Sequence, residues 1–565
     1  MLQSWKTGAL ATAVSLILLN PILAQDLPVS AEPVAAPAEN APESSLTESS
    51  VPMAASNVPA DEAGLQVPPA PEADAVSPAV SPEPIAPPPP PAPKPAPKKK
   101  APPQFPGPKT LPPMGPWKPL FFDNDFSYVK DPNHEHLVGE DWKNVPFEFL
   151  GQDFKVSAGG EIRHRHMNED NRLRPGGPKQ LDYDLLRWRQ YLDVQAGDIF
   201  RFYVEGINAD AFGEDGFVQP IDVNHWDLQN FFVDAKFLEN DWGQHTLRYG
   251  RQELLFGRQR LVSPLDWANT RRNFQGFNYI LKGTDYKLNV FSVNPVNTAT
   301  GFGTVAQYDN QFDQAHKGVQ FSGAYFTYTG LQNTVFDAYW MYQNTQHDTP
   351  SRPDGSRHTI GSRVSRLFPV LDACGEEYRV WDFDTEGALQ VGQDNSQSVL
   401  AGFYSVIGGH SWKQAPWTPR LSGLFYYGSG DRSPTDGYNN TFNVMYPLGH
   451  AYWAISDNLS GQNLYDYALQ ADVKPSKKSA ITAAYHWFSL ASNGDRAYNV
   501  GGVPVGTPGN GRNLGHALDL YGYYAFTPNF DIQTGYSWFW YGTFIENTTP
   551  RNDASQFYVQ TSYRY

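Results

Sequence analysis

From about Leu120 to the end of the chain, apolar and polar residues alternate with a period of two, in segments separated by Gly, Asn, Asp and Pro. In 154–165, Val156, Ala158 and Ile162 share one face, whereas Lys155, Ser157, Glu161, Arg163 and Arg165 share the other. In 186–194, Leu186, Trp188, Leu192 and Val194 oppose Arg187, Arg189 and Asp193. Segments 319–328, 334–342 and 481–488 read the same way, and no long amphipathic helix competes with them. This alternation predicts β-strands with one apolar and one polar face.

A soluble sandwich would alternate too. Here the segments are long and numerous, Trp and Tyr crowd their ends, and the polar face carries many ionisable groups. Those features predict an all-β fold, a transmembrane antiparallel β-barrel, because a closed barrel is the only sheet that satisfies its backbone in lipid. At roughly 25 residues per strand and connection, residues 120–565 suffice for on the order of 16–18 strands. The last segment sets Phe557, Val559, Thr561, Tyr563 and Tyr565 on one face. A final strand ending in an aromatic residue resembles the recognition signal of bacterial outer-membrane barrels.

The region before the barrel reads differently. Lys6 followed by the apolar stretch 9–19 predicts a signal peptide over 1–24, too short to span a bilayer. Residues 25–116 are rich in Pro, Ala, Glu and Ser, and more than half of the 48 prolines precede Phe121. Such a segment buries too little apolar surface to offset its ordering entropy, so a disordered periplasmic tail is expected. Fully extended at ~3.1 Å per residue it reaches beyond roughly 200 Å. Its lysines, Lys98 to Lys100, suit an anionic cell-wall or periplasmic partner.

Composition narrows the classes. With 15 Trp, 31 Tyr and 34 Phe the chain as a whole is not disordered, and a net charge of −16 argues against a nucleic-acid binder. One cysteine, Cys374, excludes a disulfide framework and a Cys-based zinc site. The sequence has no His-Glu-x-x-His, Gly-x-Ser-x-Gly or phosphate-binding Gly-Lys-Ser/Thr motif, so a non-enzyme without cofactors is expected. His164 with His166, and Glu161 with Asp193, read as structural pairs rather than metal or acid–base sites.

Three blocks carry a resemblance. Leu247-Arg-Tyr-Gly-Arg-Gln-Glu-Leu254, Gly257-Arg-Gln-Arg-Leu-Val262 and Arg271-Arg-Asn-Phe-Gln-Gly276 form the first; 428–437 with 441–447 and 450–452 form the second; 514–520 with 535–539 and 542–545 form the third. In order and spacing they resemble the alginate export family. The resemblance implies a monomeric 18-stranded outer-membrane barrel that passes an anionic polysaccharide or its oligomers. A carboxylate-bearing polymer needs fixed cations that replace its counterions without holding it permanently, and Arg suits this by its permanent charge and planar fork. Parity singles out Arg163, Arg165, Arg187 and Arg189 as pore-lining; the motif adds Arg251, Arg271 and Arg272. Two positions depart from the family pattern, Gln229 and Glu253, where the family carries Arg. The acidic stretch Asp210, Glu214 and Asp215 is either a solvated loop, a plug or a Ca²⁺ loop. Two other functions stay open: a general or carbohydrate-type porin, and a structural barrel tethering the outer membrane to the wall.

Overall fold

The computed structural model describes residues 117–565 except 132, 135, 175–176, 214–218, 220, 297–311 and 347–353. The expected signal peptide and proline-rich tail lie outside the described residues, as do Glu214 and Asp215.

Eighteen strands form the barrel. They are β1 (Gln152–Asp170), β2 (Gln180–Ala196), β3 (Phe200–Phe212), β4 (Asn224–Asn240), β5 (Gly243–Gln252) and β6 (Phe274–Lys282). Then follow β7 (Tyr286–Pro295), β8 (Val319–Tyr328), β9 (Thr334–Thr345), β10 (Gly355–Leu371), β11 (Glu377–Asp394) and β12 (Gln397–Trp412). The last are β13 (Arg420–Gly428), β14 (Leu464–Ser476), β15 (Ser479–Leu490), β16 (Asn513–Ala525), β17 (Phe530–Tyr541) and β18 (Ala554–Arg564). Each pairs antiparallel with its sequence neighbours, and β18 closes on β1 from Glu161↔Arg564 to Asp170↔Ser555. Closure pairs both sides of these eighteen strands, and a short strand, Val145–Phe149, adds to the start of β1 through the turn at Leu150-Gly151.

The period-two pattern decides which side faces lipid. Ile162, Leu186, Trp188 and Leu192 are exposed, whereas Arg163, Arg165, Arg187 and Arg189 are at most 2% exposed. The seam is tight: Gly160 donates to the Tyr565 carbonyl at 3.0 Å, and Tyr565 returns a bond to Gly160 O at 3.1 Å. A Cβ on Gly160 would stand 2.1 Å from the Arg189 carbonyl, so the close approach requires glycine.

Connections differ sharply between the two ends. At the end holding Tyr565 they are short, such as 197–199, 241–242 and 477–478. The other end carries long loops, including 253–273 and 429–463. Short turns face the periplasm in outer-membrane barrels. Loops 253–273 and 429–463 fold inward rather than out. Phe256, Leu261 and Val262 of the first, with Phe442, Tyr452 and Trp453 of the second, pack on wall residues Phe321, Tyr325, Phe403 and Phe488. The two loops pair with each other: Val262 bridges Tyr446, Tyr446 N donates to Leu261 O, and Leu448 N donates to Gln259 O, both at 2.9 Å. The hydrophobic core therefore sits inside the barrel.

Candidate functional site

Neighbouring strands β1 and β2 bring Arg163, Arg165, Arg187 and Arg189 onto one stretch of the inner wall, with Arg163 opposite Arg187 and Arg189 opposite Glu161. Like charges at such spacing repel unless acceptors surround them. Loop 253–273 supplies many of those acceptors. Arg163 donates to the carbonyls of Asp266 and Ala268, each at 2.6 Å. Arg187 reaches the Glu161 carboxylate at 2.6 Å and the Asp266 carboxylate at 2.9 Å. Arg165 instead grips Gln560 through two bonds of 3.0 and 2.7 Å and lies 3.6 Å above the Trp267 ring. Arg189 pairs with Glu205, its Nε donating at 2.7 Å. Among the described residues, Arg163 and Arg165 form no ion pair with a carboxylate.

The residues singled out by motif cluster next to this arc. Arg271 bonds both Glu253 and Asp266, and its third arm donates to Pro119 O at 2.9 Å. Gln229 donates to Glu253 Oε1 at 3.1 Å, and Asn230 donates to Glu253 Oε2 at 3.1 Å. The two departures from the family pattern thus touch each other, and Glu253 is a counterion of Arg271. Arg251 pairs with Asp227 at 3.1 Å. Arg272 donates to the carbonyls of Ser263 and Pro447 at 3.2 and 3.4 Å, and burial pulls its guanidinium down to about 10, with Tyr446 acting the other way. It stays charged at neutral pH.

Asp266 is the hinge of the arrangement. Burial alone would raise its carboxyl, but Arg271, Arg187, Arg163 and Arg189 hold it well below the ordinary range. Half of its side-chain surface is nevertheless open to the barrel interior. It is an anion among cations with one side free.

The other half of loop 253–273 carries the opposite charge to the opposite wall. Arg260 bonds Glu386 at 2.6 Å and Asp384 at 3.0 Å on β11, and Arg258 reaches Asp384 at 3.2 Å. Arg363 of β10 shares Asp384 at 2.8 Å and pairs with Asp337 of β9 at 2.6 Å. The loop therefore straps the lumen from an acidic arc on β9–β11 to a basic arc on β1–β2. Its Trp267 donates to Asp457 at 2.7 Å and stacks on His450 at 3.4 Å, tying it to loop 429–463.

Asp210 does not belong to this group. It pairs with His225 at 3.0 Å and accepts from Asn208 at 3.1 Å. Among the described residues no three His, Cys, Asp or Glu side chains converge as a metal site. His164 and His166 lie on the outer face beside Asp184, at 3.0 and 3.3 Å. Glu161 and Asp193 are held by different arginines: Arg187 and Arg564 for the first, Arg201 for the second.

Period-two reading found the basic arc but not the loop that covers it. Its signal was present: Leu254, Leu255, Phe256, Leu261, Val262, Leu265 and Trp267 are too apolar for a solvated connection. A second unanticipated part is the segment at the short-turn end, where Trp117, Leu120, Phe121, Phe122 and Phe126 pack against Tyr191, Tyr203 and Phe232.

Comparison with known proteins gives three results. The family description "alginate export" matches residues 154–559. Among solved structures, the outer membrane protein OprD from Pseudomonas aeruginosa is similar at 11% identity and TM-score 0.48, over 73% of this chain and 93% of that one. OpdQ of the same organism is similar at 14% identity and TM-score 0.46, over 73% and 98%. No curated protein matches the chain.

Proposed function

Since this chain belongs to the alginate export family, it is an outer-membrane channel, and we propose that it passes an anionic, alginate-like polysaccharide or its oligomers along the basic arc. The observation that carries this reading is the pair Arg163 and Arg165, without ion-pair partners among the described residues, beside Asp266, a half-open carboxylate on the strap. The Asp266 carboxylate holds Arg187 and Arg271, so a uronate carboxylate, which presents the same group, competes for those two guanidinia and meets Arg163 opposite Arg187. Low-dielectric walls strengthen such exchange, and several weak positions in series let a polymer advance. The barrel acts as a monomer in this reading, and the proline-rich tail engages a wall or periplasmic partner.

The strap's Asp266 is the place to test it. Asp266→Asn keeps the shape and removes the competing charge. In planar bilayers the variant should become more anion-selective, and oligouronates should block its current at concentrations several-fold lower, since a competing acceptor is gone. Unchanged selectivity and block would overturn the reading.

The acidic arc favours a second function, small-solute uptake. Asp337, Asp382, Asp384 and Glu386 are all buried on the inner wall opposite the arginines. A transverse pair of charged arcs suits solutes bearing both signs. Faster passage of zwitterionic than of neutral or anionic solutes of one size would select this alternative.

A further inference from the structure

The segment 117–126 stands in the short-turn mouth over β2–β4 and takes no part in the sheet. Its backbone-to-backbone hydrogen bonds are local, Asp123 N to Leu120 O at 3.0 Å and Asn124 N to Phe121 O at 3.1 Å. It can therefore leave without breaking a strand pairing. Beneath it lies a tier of rings from three successive strands: Tyr191 stacks on Tyr203 at 5.8 Å, and Tyr203 on Phe232 at 5.2 Å. Phe121 covers Tyr191 at 5.6 Å, and Phe122 meets Tyr203 and Phe232 edge-on at 5.7 and 5.2 Å.

Two guanidinia complete the contact. Arg201 donates to Phe122 O at 2.7 Å, and Arg271 donates to Pro119 O at 2.9 Å. The segment thus offers the barrel carbonyl oxygens for its arginines and apolar surface for its rings. An acidic sugar offers the same two chemistries, carboxylate oxygens and the apolar C–H face of the ring. The fit is incomplete. A cavity of about 270 Å³ lies on its flank, lined in part by Asn124, Ser127, Lys155 and Asp193. Among the described residues, the buried Trp117 Nε1 has no hydrogen-bond partner.

We infer that residues 117–126 are a built-in pseudo-ligand, a strap that occupies a track for acidic sugars at the periplasmic mouth and must leave before sugar binds there. The track is the tier of Tyr191, Tyr203 and Phe232 with the donors of Arg201 and Arg271. This rests on the reading of the channel as a path for anionic sugars.

The test uses the full chain with Phe121→Ser and Phe122→Ser together. A second variant, Trp117→Ala with Leu120→Ala, loosens the strap without touching the barrel wall. Heat-modifiable migration checks that each barrel is folded. Single-channel conductance should rise by about twofold, and the half-blocking concentration of an oligogalacturonate should fall by about fivefold, because removing an internal competitor raises apparent affinity. A neutral malto-oligosaccharide of equal length should block both variants as it blocks the native channel. Native-like conductance and block in both folded variants would overturn the inference. So would higher conductance with no gain for the uronate over the neutral sugar. If the native channel itself shows no preference for uronate at low salt, the parent reading fails; if that preference stands while variants and native agree, the strap alone fails.

Discussion

Single residues inside this barrel are set by what surrounds them more than by their type. Arg163 and Arg187 sit opposite each other on β1 and β2 and share the Asp266 and Ala268 carbonyls, yet only Arg187 adds two carboxylates. Parity identified both as inward, since Ile162 and Leu186 point to lipid. It did not identify their partners in loop 253–273, which lies more than seventy residues away in sequence. Glu140 shows the same logic outside the sheet. Its carboxylate accepts from Tyr128 Oη, His134 Nε2 and Leu137 N, each at 2.7 Å. Burial alone would raise its pKa, but the bonds from Leu137, Tyr128 and His134 outweigh this and lower it below the ordinary 4.5. A carboxylate depressed in the folded state stabilises fully above its unfolded value and loses that contribution as pH falls through the lower folded value. Hydrogen-exchange protection factors at 128–142 should therefore hold from pH 7 to about 5 and fall below about 4, ahead of the strands. Uniform loss of protection across the barrel would show that Glu140 does not govern this segment.

At the scale of elements, the strands were the legible part. Alternation, end aromatics and the terminal Phe557–Tyr565 face give an antiparallel barrel, and 18 strands are present. Two-residue turns such as Leu150-Gly151, both at positive φ, follow ordinary hairpin rules. The inward loops escaped because periodicity describes a regular face, whereas 253–273 and 429–463 bury irregular coil through side-chain contacts on several strands. The seam between β18 and β1 makes a direct demand. Gly160→Ala should force Arg189 O or the Tyr565 ring aside, since the new methyl would lie 2.1 and 2.9 Å from them. Closure is cooperative, so the folded form should convert to the unfolded one at a temperature lower by several degrees in semi-native electrophoresis. Gly151→Ala, in the open turn at the same end, meets no atom within 4 Å, though its φ of +72° strains it locally. A larger loss at Gly151 than at Gly160 would mean that turn geometry, not the seam, limits stability.

For the whole molecule, the net charge of −16 is a poor guide to what the interior prefers. The charges are sorted: arginines dominate the inner face of β1–β2, carboxylates that of β9–β11, and one loop bridges them with matching signs. The field across the lumen is therefore transverse, and small changes on one arc should tilt selectivity without reversing overall charge. Arg163→Gln with Arg165→Gln isolates the basic arc, because among the described residues neither side chain is the ion-pair partner of a carboxylate and no buried acid is left stranded. Asp266 keeps Arg187 and Arg271, so loop 253–273 should stay in place. Reversal potentials measured across a salt gradient near 0.1 M should shift toward cations. The shift should shrink near 1 M, where the screening length falls to roughly 3 Å. If the low-salt potential does not move, Arg163 and Arg165 only secure loop 253–273, and the permeating solute runs along another wall.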